Sequence, residues 1–138
     1  MYRQIVVGYD GSPASRQAVD TAIAIALQNG ATLHVLTVAR LLQIPDEVET
    51  EAIVENSREF HQRLLDELAL SIGDAGAPIE YEIAIGHPAE QLIYRADQLD
   101  ADLIVVGDRG RSKIKRMLLG SVSDRVVRHA DRAVMVVR

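Results

Sequence analysis

Cysteine and tryptophan are both absent from the 138 residues of this chain. Without thiols, disulfide frameworks, thiol nucleophiles and Cys-ligated metal sites are excluded. Aromatic residues make up only 4%, and the pI is about 5.3, which argues against a protein that stacks nucleic-acid bases in a basic groove. With 48% hydrophobic residues, the chain can bury the core of one compact domain and has no room for a second.

Long apolar runs and export signals are lacking as well. No stretch approaches the ~18 apolar residues of a membrane span, and the chain enters a strand-like run at residue 5 without an apolar leader. We therefore expect a cytoplasmic protein without membrane insertion. Neither the P-loop spacing nor the Gly-x-Gly-x-x-Gly of a dinucleotide fold occurs, so these two classes of nucleotide-binding protein are excluded.

The formal net charge of -5 conceals two segments of opposite sign. Residues 1–100 carry 6 basic and 16 acidic side chains, whereas residues 101–138 carry 9 basic and 4 acidic ones. A net charge of -10 is thus followed by +5 in the last quarter of the chain. This asymmetry indicates one localised anion site in an otherwise acidic protein.

Strand-like and helix-like patterns alternate along the whole chain. Strands are predicted at residues 5–9, 32–38, 79–85, 102–107 and 133–137. Helices are predicted at residues 13–29, 46–73, 88–99 and 121–129. This alternation predicts an α/β fold: a single-domain, open parallel five-stranded sheet with helices on both faces.

Apolar patterning also ranks the strands by burial. The first and fourth strands are apolar on both faces, so we place them centrally and side by side, whereas the third alternates and is expected near an edge. The long second helix is acidic on one face. Its predicted buried face consists of Ile53, Phe60, Leu64, Leu68 and Ile72.

Two loops should therefore meet at the carboxyl edge of the sheet, where α/β proteins bind ligands. One loop holds Asp10; the other holds Gly107, Gly110, five basic residues and finally Gly120-Ser121. Glycines let a backbone approach phosphates, and a helix N-terminus offers unpaired N–H groups. Singly, the glycines and Ser121 are better explained as turn residues and a helix cap, and Asp10 is equally well explained as the start of a turn. Together with the charge inversion, they favour an anion site.

The glycine spacing resembles a known signature. Two residues separate Gly107 from Gly110, and nine more precede Gly120-Ser121, which is similar to the nucleotide-binding signature of the universal stress protein family. The resemblance covers the whole chain, through residues 5–12, 86–89, 102–107 and 118–123. It points to the ATP-binding branch of that family, and implies a strand order of 3-2-1-4-5 and ATP with Mg²⁺ or Mn²⁺ on its phosphates.

Roles for individual residues are implied by the same resemblance. Asp10 would contact the nucleoside and the backbone of Val38 the adenine, with Gly107 and Gly110 at the ribose-phosphate. The start of the last helix, at residues 120–122, would hold the phosphates. The expected nucleotide-binding set is Tyr9, Asp10, Val38, Gly107, Arg109, Gly110, Gly120, Ser121 and Val122.

Asp108 departs from the resemblance, because the family often has a small or neutral residue there. A carboxylate beside a triphosphate must either face away or help to bind the metal, and we expect it to face away. No arranged base or water-positioning group is evident from the sequence, so no catalytic residue is assigned. The four histidines show no metal-ligand spacing, and structural or surface roles are expected for them.

The last strand is expected to mediate self-association. An apolar strand at a sheet edge needs a cover or a partner, and a two-fold mate offers identical segments for pairing. The resemblance also implies a homodimer through the last strands. The expected interface consists of Val134, Met135, Val136 and Val137.

Three functions remain open at this point. The first is an ATP-binding stress-response regulator, in which nucleotide occupancy of the loop at residues 108–119 modulates binding to a regulatory protein partner. The second is a slow ATPase or phosphotransferase that uses Asp108 or His87. The third is a nucleotide-free dimeric scaffold, in which the glycine loop only shapes a turn.

Overall fold

The predicted strands form one parallel sheet in the computed structural model, which describes residues 1–40, 47–109 and 119–138, with side chains for all of these except 47–56. The strands are β1 (Gln4–Gly8), β2 (Thr32–Ala39), β3 (Ile79–Ile85), β4 (Leu103–Gly107) and β5 (Ala133–Val137). They lie in the order β3-β2-β1-β4-β5, and every pairing is parallel. The α/β class, the strand order and the central position of β1 and β4 are thereby confirmed.

Helices cover both faces of this sheet, as expected. They are α1 (Pro13–Asn29), α2 (Glu47–Ile72), α3 (Pro88–Leu99) and α4 (Ser121–His129). Helices α1 and α2 pack on the face that carries Ile5 and Val7, whereas α3 and α4 pack on the face that carries Val6 and Ile104. Both faces of β1 and β4 are therefore dry, which explains their uninterrupted apolar sequences. Within the described ranges, no helix combines the length and apolarity that crossing a membrane requires.

Helices α1 and α3 begin where their sequences predict. The Oγ of Ser12 accepts the N–H of Ser15 at 3.2 Å, and the Nδ1 of His87 accepts the N–H of Ala89 at 3.2 Å. Each capping residue is followed by a proline at the first helical position, where a missing N–H costs nothing. Helix α1 ends at Gly30, whose φ of 65° is the left-handed conformation that glycine adopts freely.

The predicted buried face of α2 is only partly correct. Leu68 is buried and Ile72 packs on the core, but Phe60 is 38% exposed and Leu64 is only half-buried. Leu65 takes the fully buried position instead, one turn before Leu68. The residues at 65, 68 and 72 follow the same helical spacing as the predicted set. The sequence periodicity therefore predicted the helix correctly, but it placed the buried position at residue 64 and not at residue 65. Ile53 lies outside the described side chains.

The two edges of the sheet are β3 and β5, which confirms the edge position predicted for the third strand. Along β5, residues 134–137 are half-buried, and alternate side chains reach opposite cores. At the other end of the central strands, the Asp102 carboxylate accepts the N–H groups of Gln4 at 2.9 Å and Arg3 at 2.6 Å. These bonds lower the pKa of Asp102 and tie the starts of β1 and β4 together.

Candidate functional site

A cavity of about 460 Å³ opens at the carboxyl edge of the sheet. Its walls come from the ends of β1, β2 and β4, the first turns of α1, α3 and α4, and one side of α2. Successive connections leave the sheet in opposite directions beside β1 and β4, which is where open α/β sheets bind ligands. The volume suits a small organic ligand of several rings and substituents.

The loop after β1 is held by its own side chains. Oδ1 of Asp10 accepts the N–H of Ser12 at 2.9 Å and the hydroxyl of Ser15 at 2.8 Å, and Gly11 between them has a φ of 85°. Asp10 therefore stabilises the turn before α1, which is the structural role that the sequence suggested as the alternative to contact with a ligand. Asp10 and Ser15 also line the cavity, so the same network fixes part of its wall.

Gly107 ends β4 directly against helix α1. A Cβ added there would lie 2.8 Å from both the carbonyl carbon and the carbonyl oxygen of Ala14, and 3.1 Å from the nitrogen of Ser15. These are backbone atoms, so they cannot turn aside as a side chain would. Gly107 does not have a positive φ. A glycine is therefore required at position 107 because strand β4 packs closely on helix α1 beside the cavity. It is not required for a positive φ, which was the other reason the sequence suggested for a glycine here.

Helix α4 points its first turn into the cavity. Ser121, Val122 and Ser123 line the wall, and the N-cap is Gly120, which has no side chain to accept the first N–H groups. The first N–H groups of any helix lack intrahelical acceptors and carry the positive end of the helix dipole. This end of the cavity is therefore suited to an anion.

Charged side chains lie at the same edge. Arg109 lines the cavity, and so does Arg40 at the end of β2. Asp108 is mostly buried and does not line the cavity; its Oδ1 lies 3.9 Å from the Nε of Arg109. Gly110 and the other predicted basic residues of this loop, from 111 to 116, lie outside the described residues.

The comparisons with known proteins agree with this geometry. The model of the universal stress protein family matches residues 1–138. The chain belongs to the universal stress protein family. A universal stress protein of Methanocaldococcus jannaschii is 35% identical over 100% of this chain and 83% of its own length.

Solved universal stress proteins share the fold closely. The protein UspA from Lactobacillus plantarum is 27% identical, covers 99% of this chain and 98% of its own, and superposes with a TM-score of 0.89. Another universal stress protein, solved in complex with cAMP, is 36% identical over 99% of this chain and 97% of its own, with a TM-score of 0.65. Nucleotide-bound proteins are thus present among the structural relatives.

Most residues expected to bind the ligand of a universal stress protein are brought to this one cavity. Gly120 lies immediately beside it as the buried N-cap of α4, and Gly110 lies outside the described residues. The expected residues that line the cavity are Tyr9, Asp10, Val38, Gly107, Arg109, Ser121 and Val122.

Sequence reasoning missed the wall that α2 contributes. Ser57 and His61 line the cavity, and the Nδ1 of His61 lies 2.7 Å from the carbonyl oxygen of Ser57, one helical turn earlier. Because a carbonyl only accepts, Nδ1 of His61 carries a proton. Polar residues on an acidic amphipathic helix resemble ordinary surface positions, so no signal in the sequence distinguished these two.

His87 and His34 both lie outside the cavity lining, and each contacts charged side chains. His87 caps α3, and its Nε2 lies 2.9 Å from an Arg125 nitrogen; it does not line the cavity. His34 is buried in β2 beside Glu80 and Glu82 of β3. Burial lowers the pKa of His34 below its ordinary value, although the two carboxylates act in the opposite direction.

Proposed function

We propose that this chain binds an adenine nucleotide, ATP with Mg²⁺ or Mn²⁺, in the cavity at the carboxyl edge of the sheet. The observation that carries the proposal is the convergence of an uncapped helix N-terminus, Arg109 and the close-packed Gly107 on one cavity of about 460 Å³. The relative solved in complex with cAMP supports the choice of an adenine nucleotide.

The lining divides into parts suited to different parts of a nucleotide. Leu36, Val38 and Leu92 offer apolar surface, on which a base would be buried out of water. The N–H groups at the start of α4 and the guanidinium of Arg109 would meet the phosphates, where anionic charge is greatest. A nucleotide placed this way satisfies the polar end of the cavity and covers the apolar end.

A divalent ion would neutralise part of the phosphate charge. The phosphates would supply most of its ligands, because Asp108 does not line the cavity and Oδ1 of Asp10, which does, already accepts hydrogen bonds from Ser12 and Ser15. The described residues thus fit a metal that arrives with the nucleotide better than one held by the protein alone. Asp108 would at most orient the ion through a bound water.

We further propose the cellular role of a cytoplasmic, homodimeric stress-response regulator. Nucleotide occupancy of the glycine-rich loop would modulate binding to a regulatory protein partner, and β5 would pair with its counterpart in a second copy. Family membership and the apolar edge strand support this role. The alternative of ATP turnover gains no support from His87 or Asp108, since neither lines the cavity.

The test is a calorimetric titration of adenosine, AMP and Mg²⁺–ATP into the nucleotide-free protein. We expect affinity to rise with the number of phosphates. Arg109→Ala should weaken ATP binding by about fivefold, the modest value expected for a half-exposed charge, and should leave adenosine unaffected.

Arg128→Ala is the matched control. Arg128 lies in α4 as well, but it pairs with Asp124 at 2.9 Å and does not line the cavity. Equal affinities for adenosine and ATP, or equal losses in both arginine variants, would contradict phosphate binding at this end. Failure of every adenine compound to bind, together with purified protein that carries no nucleotide by mass spectrometry, would favour the scaffold.

A further inference from the structure

A histidine and two glutamates meet on the face of the sheet covered by α3. In the parallel register of β2 and β3, His34 lies opposite Glu80, and Glu82 lies one same-face position further along β3. The Nδ1 of His34 is 3.6 Å from Oε2 of Glu80 and 4.0 Å from Oε1 of Glu82. One donor atom from each residue falls within a group no wider than 4.8 Å.

The histidine at the centre of this group is buried and lacks a partner on one side. Only 4% of His34 is exposed, and its Nε2 lies 2.7 Å from the Oε1 of Gln4. An amide oxygen only accepts, so Nε2 carries a proton, and in the neutral ring Nδ1 presents its lone pair. Among the described residues, Nδ1 has no hydrogen-bond partner.

That arrangement places an electron-rich nitrogen beside two carboxylates. The Nδ1 of His34 lies 3.6 and 4.0 Å from their oxygens, and this buried nitrogen has lost its bonds to water. Such a grouping is stabilised by a positive centre between the three atoms. Arg95 is a nearby cation, but its Nη2 and Nε donate to Oε1 of Glu82 at 2.7 and 3.0 Å, and its Nη1 donates to Gln98 at 3.4 Å.

The surroundings match those of a metal ligand set. A histidine that binds metal through one nitrogen usually donates its other N–H to an acceptor, as His34 does to Gln4, and ligating carboxylates are themselves hydrogen-bonded, as Glu82 is by Arg95. With a neutral ring, two carboxylates and one guanidinium, the group carries one net negative charge. It therefore has capacity for a divalent cation.

We propose that His34, Glu80 and Glu82 bind a divalent cation of the zinc class. One imidazole nitrogen and two carboxylate oxygens are ligands that Zn²⁺ accepts, whereas Mg²⁺ and Ca²⁺ favour oxygen alone. Tetrahedral Zn²⁺ places its ligand atoms about 3.3 Å apart, so small rotations of the glutamates close the observed 3.6 and 4.0 Å gaps. Glu80 is 64% exposed, which gives the ion a path and water as a fourth ligand.

This site is separate from the nucleotide cavity. His34 and Glu80 lie near the amino ends of β2 and β3, whereas the cavity opens at the carboxyl ends of the strands. The chain has no cysteine to compete for Zn²⁺. Titrating ZnCl₂ into nucleotide-free protein therefore separates this proposal from metal that arrives on phosphates, and failure of either proposal leaves the other standing.

The test is calorimetry with Zn²⁺ on the full chain at about pH 7.5, where imidazole is largely neutral. Wild-type protein should bind one ion per chain. His34→Gln and Glu80→Gln should each weaken binding more than a hundredfold, and Gln4→Leu by about tenfold to a hundredfold, since it only orients the ring. His129→Gln and Glu67→Gln, at exposed positions outside the group, should leave affinity unchanged.

A second measurement identifies the ligating atom. In long-range ¹H–¹⁵N spectra, Zn²⁺ should shift the Nδ1 signal of His34 while Nε2 keeps its proton. Glu80→Gln alters an exposed side chain, and its circular dichroism spectrum should match wild type, so loss of binding there does not reflect unfolding. No binding by wild type, equal binding in His34→Gln, or an unmoved Nδ1 signal would each overturn the proposal and leave a proton or water beside the ring.

Discussion

The amide of Gly120 donates a hydrogen bond of 2.7 Å to the carbonyl oxygen of Asp108. The hydroxyl of Ser123 donates to the same oxygen at 3.1 Å, and the amide of Asp108 donates to Val137 at 2.9 Å. The end of β4, the start of α4 and the end of β5 are thus joined at one residue. This junction positions the first turn of α4 at the cavity.

Replacing Gly120 by aspartate should separate stability from nucleotide binding. An N-cap aspartate accepts the free N–H groups of the first turn, and it differs from glycine by only a few tenths of a kcal/mol in helix stability. Its carboxylate would also repel phosphates, so we expect ATP affinity to fall more than tenfold while the urea midpoint changes little. Gly120→Ala controls for bulk, and undiminished ATP affinity in the aspartate variant would contradict the anion site.

Gly107→Ala should destabilise the fold. The new Cβ would lie 2.8 Å from backbone atoms of Ala14, so β4 and α1 must separate, at a cost of about 1–3 kcal/mol in the free energy of unfolding. Gly8→Ala is the control, because its Cβ would meet only the flexible Leu92 side chain, at 3.1 Å. Urea denaturation measures both, and equal stability in the two variants would refute the packing explanation.

Stability should decline in acid partly through Asp102. Its pKa is lower in the folded chain than the ordinary 3.8 because the amides of Gln4 and Arg3 bind the ionised form. This contribution is complete above the ordinary value and disappears as the pH falls through the folded pKa. Asp102→Asn should cost about 1 kcal/mol at neutral pH and less at low pH.

Denaturation series at several pH values measure this difference. Asp131→Asn is the control. Asp131 is 81% exposed, and its carboxylate makes a long ion pair of 3.8 Å with the Arg132 guanidinium, so its charge should contribute little to stability. A cost for Asp102→Asn that stays constant across the acid range would contradict the assigned role of its charge.

Charged substitution on β5 should produce monomers if this edge forms the dimer. Met135→Lys and Val136→Lys place a charge on opposite faces of the edge strand, and both should lower the mass measured by analytical ultracentrifugation. Val127→Lys, on an exposed part of α4, should remain dimeric. Circular dichroism must show folded protein in each case, and folded dimers in both β5 variants would exclude this interface.

The order of elements was predictable because each strand and helix has its own local pattern. Residues 103–107 are apolar without interruption, and that alone placed β4 centrally. Pro13 and Pro88 marked two helix starts that the capping bonds of Ser12 and His87 confirm. Local signals of this kind do not depend on partners distant in sequence.

Features that depend on distant partners were not predictable. Position 107 must be glycine because a side chain there would clash with the backbone of Ala14. Ala14 is 93 positions away in the sequence, and nothing in the sequence around either residue indicates that they are in contact. The juxtaposition of His34 with Glu80 follows from the register of β2 and β3, since a one-residue slip would separate them. The buried face of α2 was predicted incorrectly for the same reason. Leu65 and Phe60 are both apolar, and only the surface on which the helix packs decides that Leu65 is buried and Phe60 is exposed.

The most direct test of nucleotide binding in the cavity is an amide NMR spectrum of the chain with and without Mg²⁺–ATP. We predict that the largest shifts fall on Gly107, Ser121 and Val122, with smaller ones at Tyr9 and Val38. The groove between α2 and β3, formed around Arg58 and Tyr81, should not respond. Shifts centred on that groove, or no shifts at saturating ATP, would contradict the account.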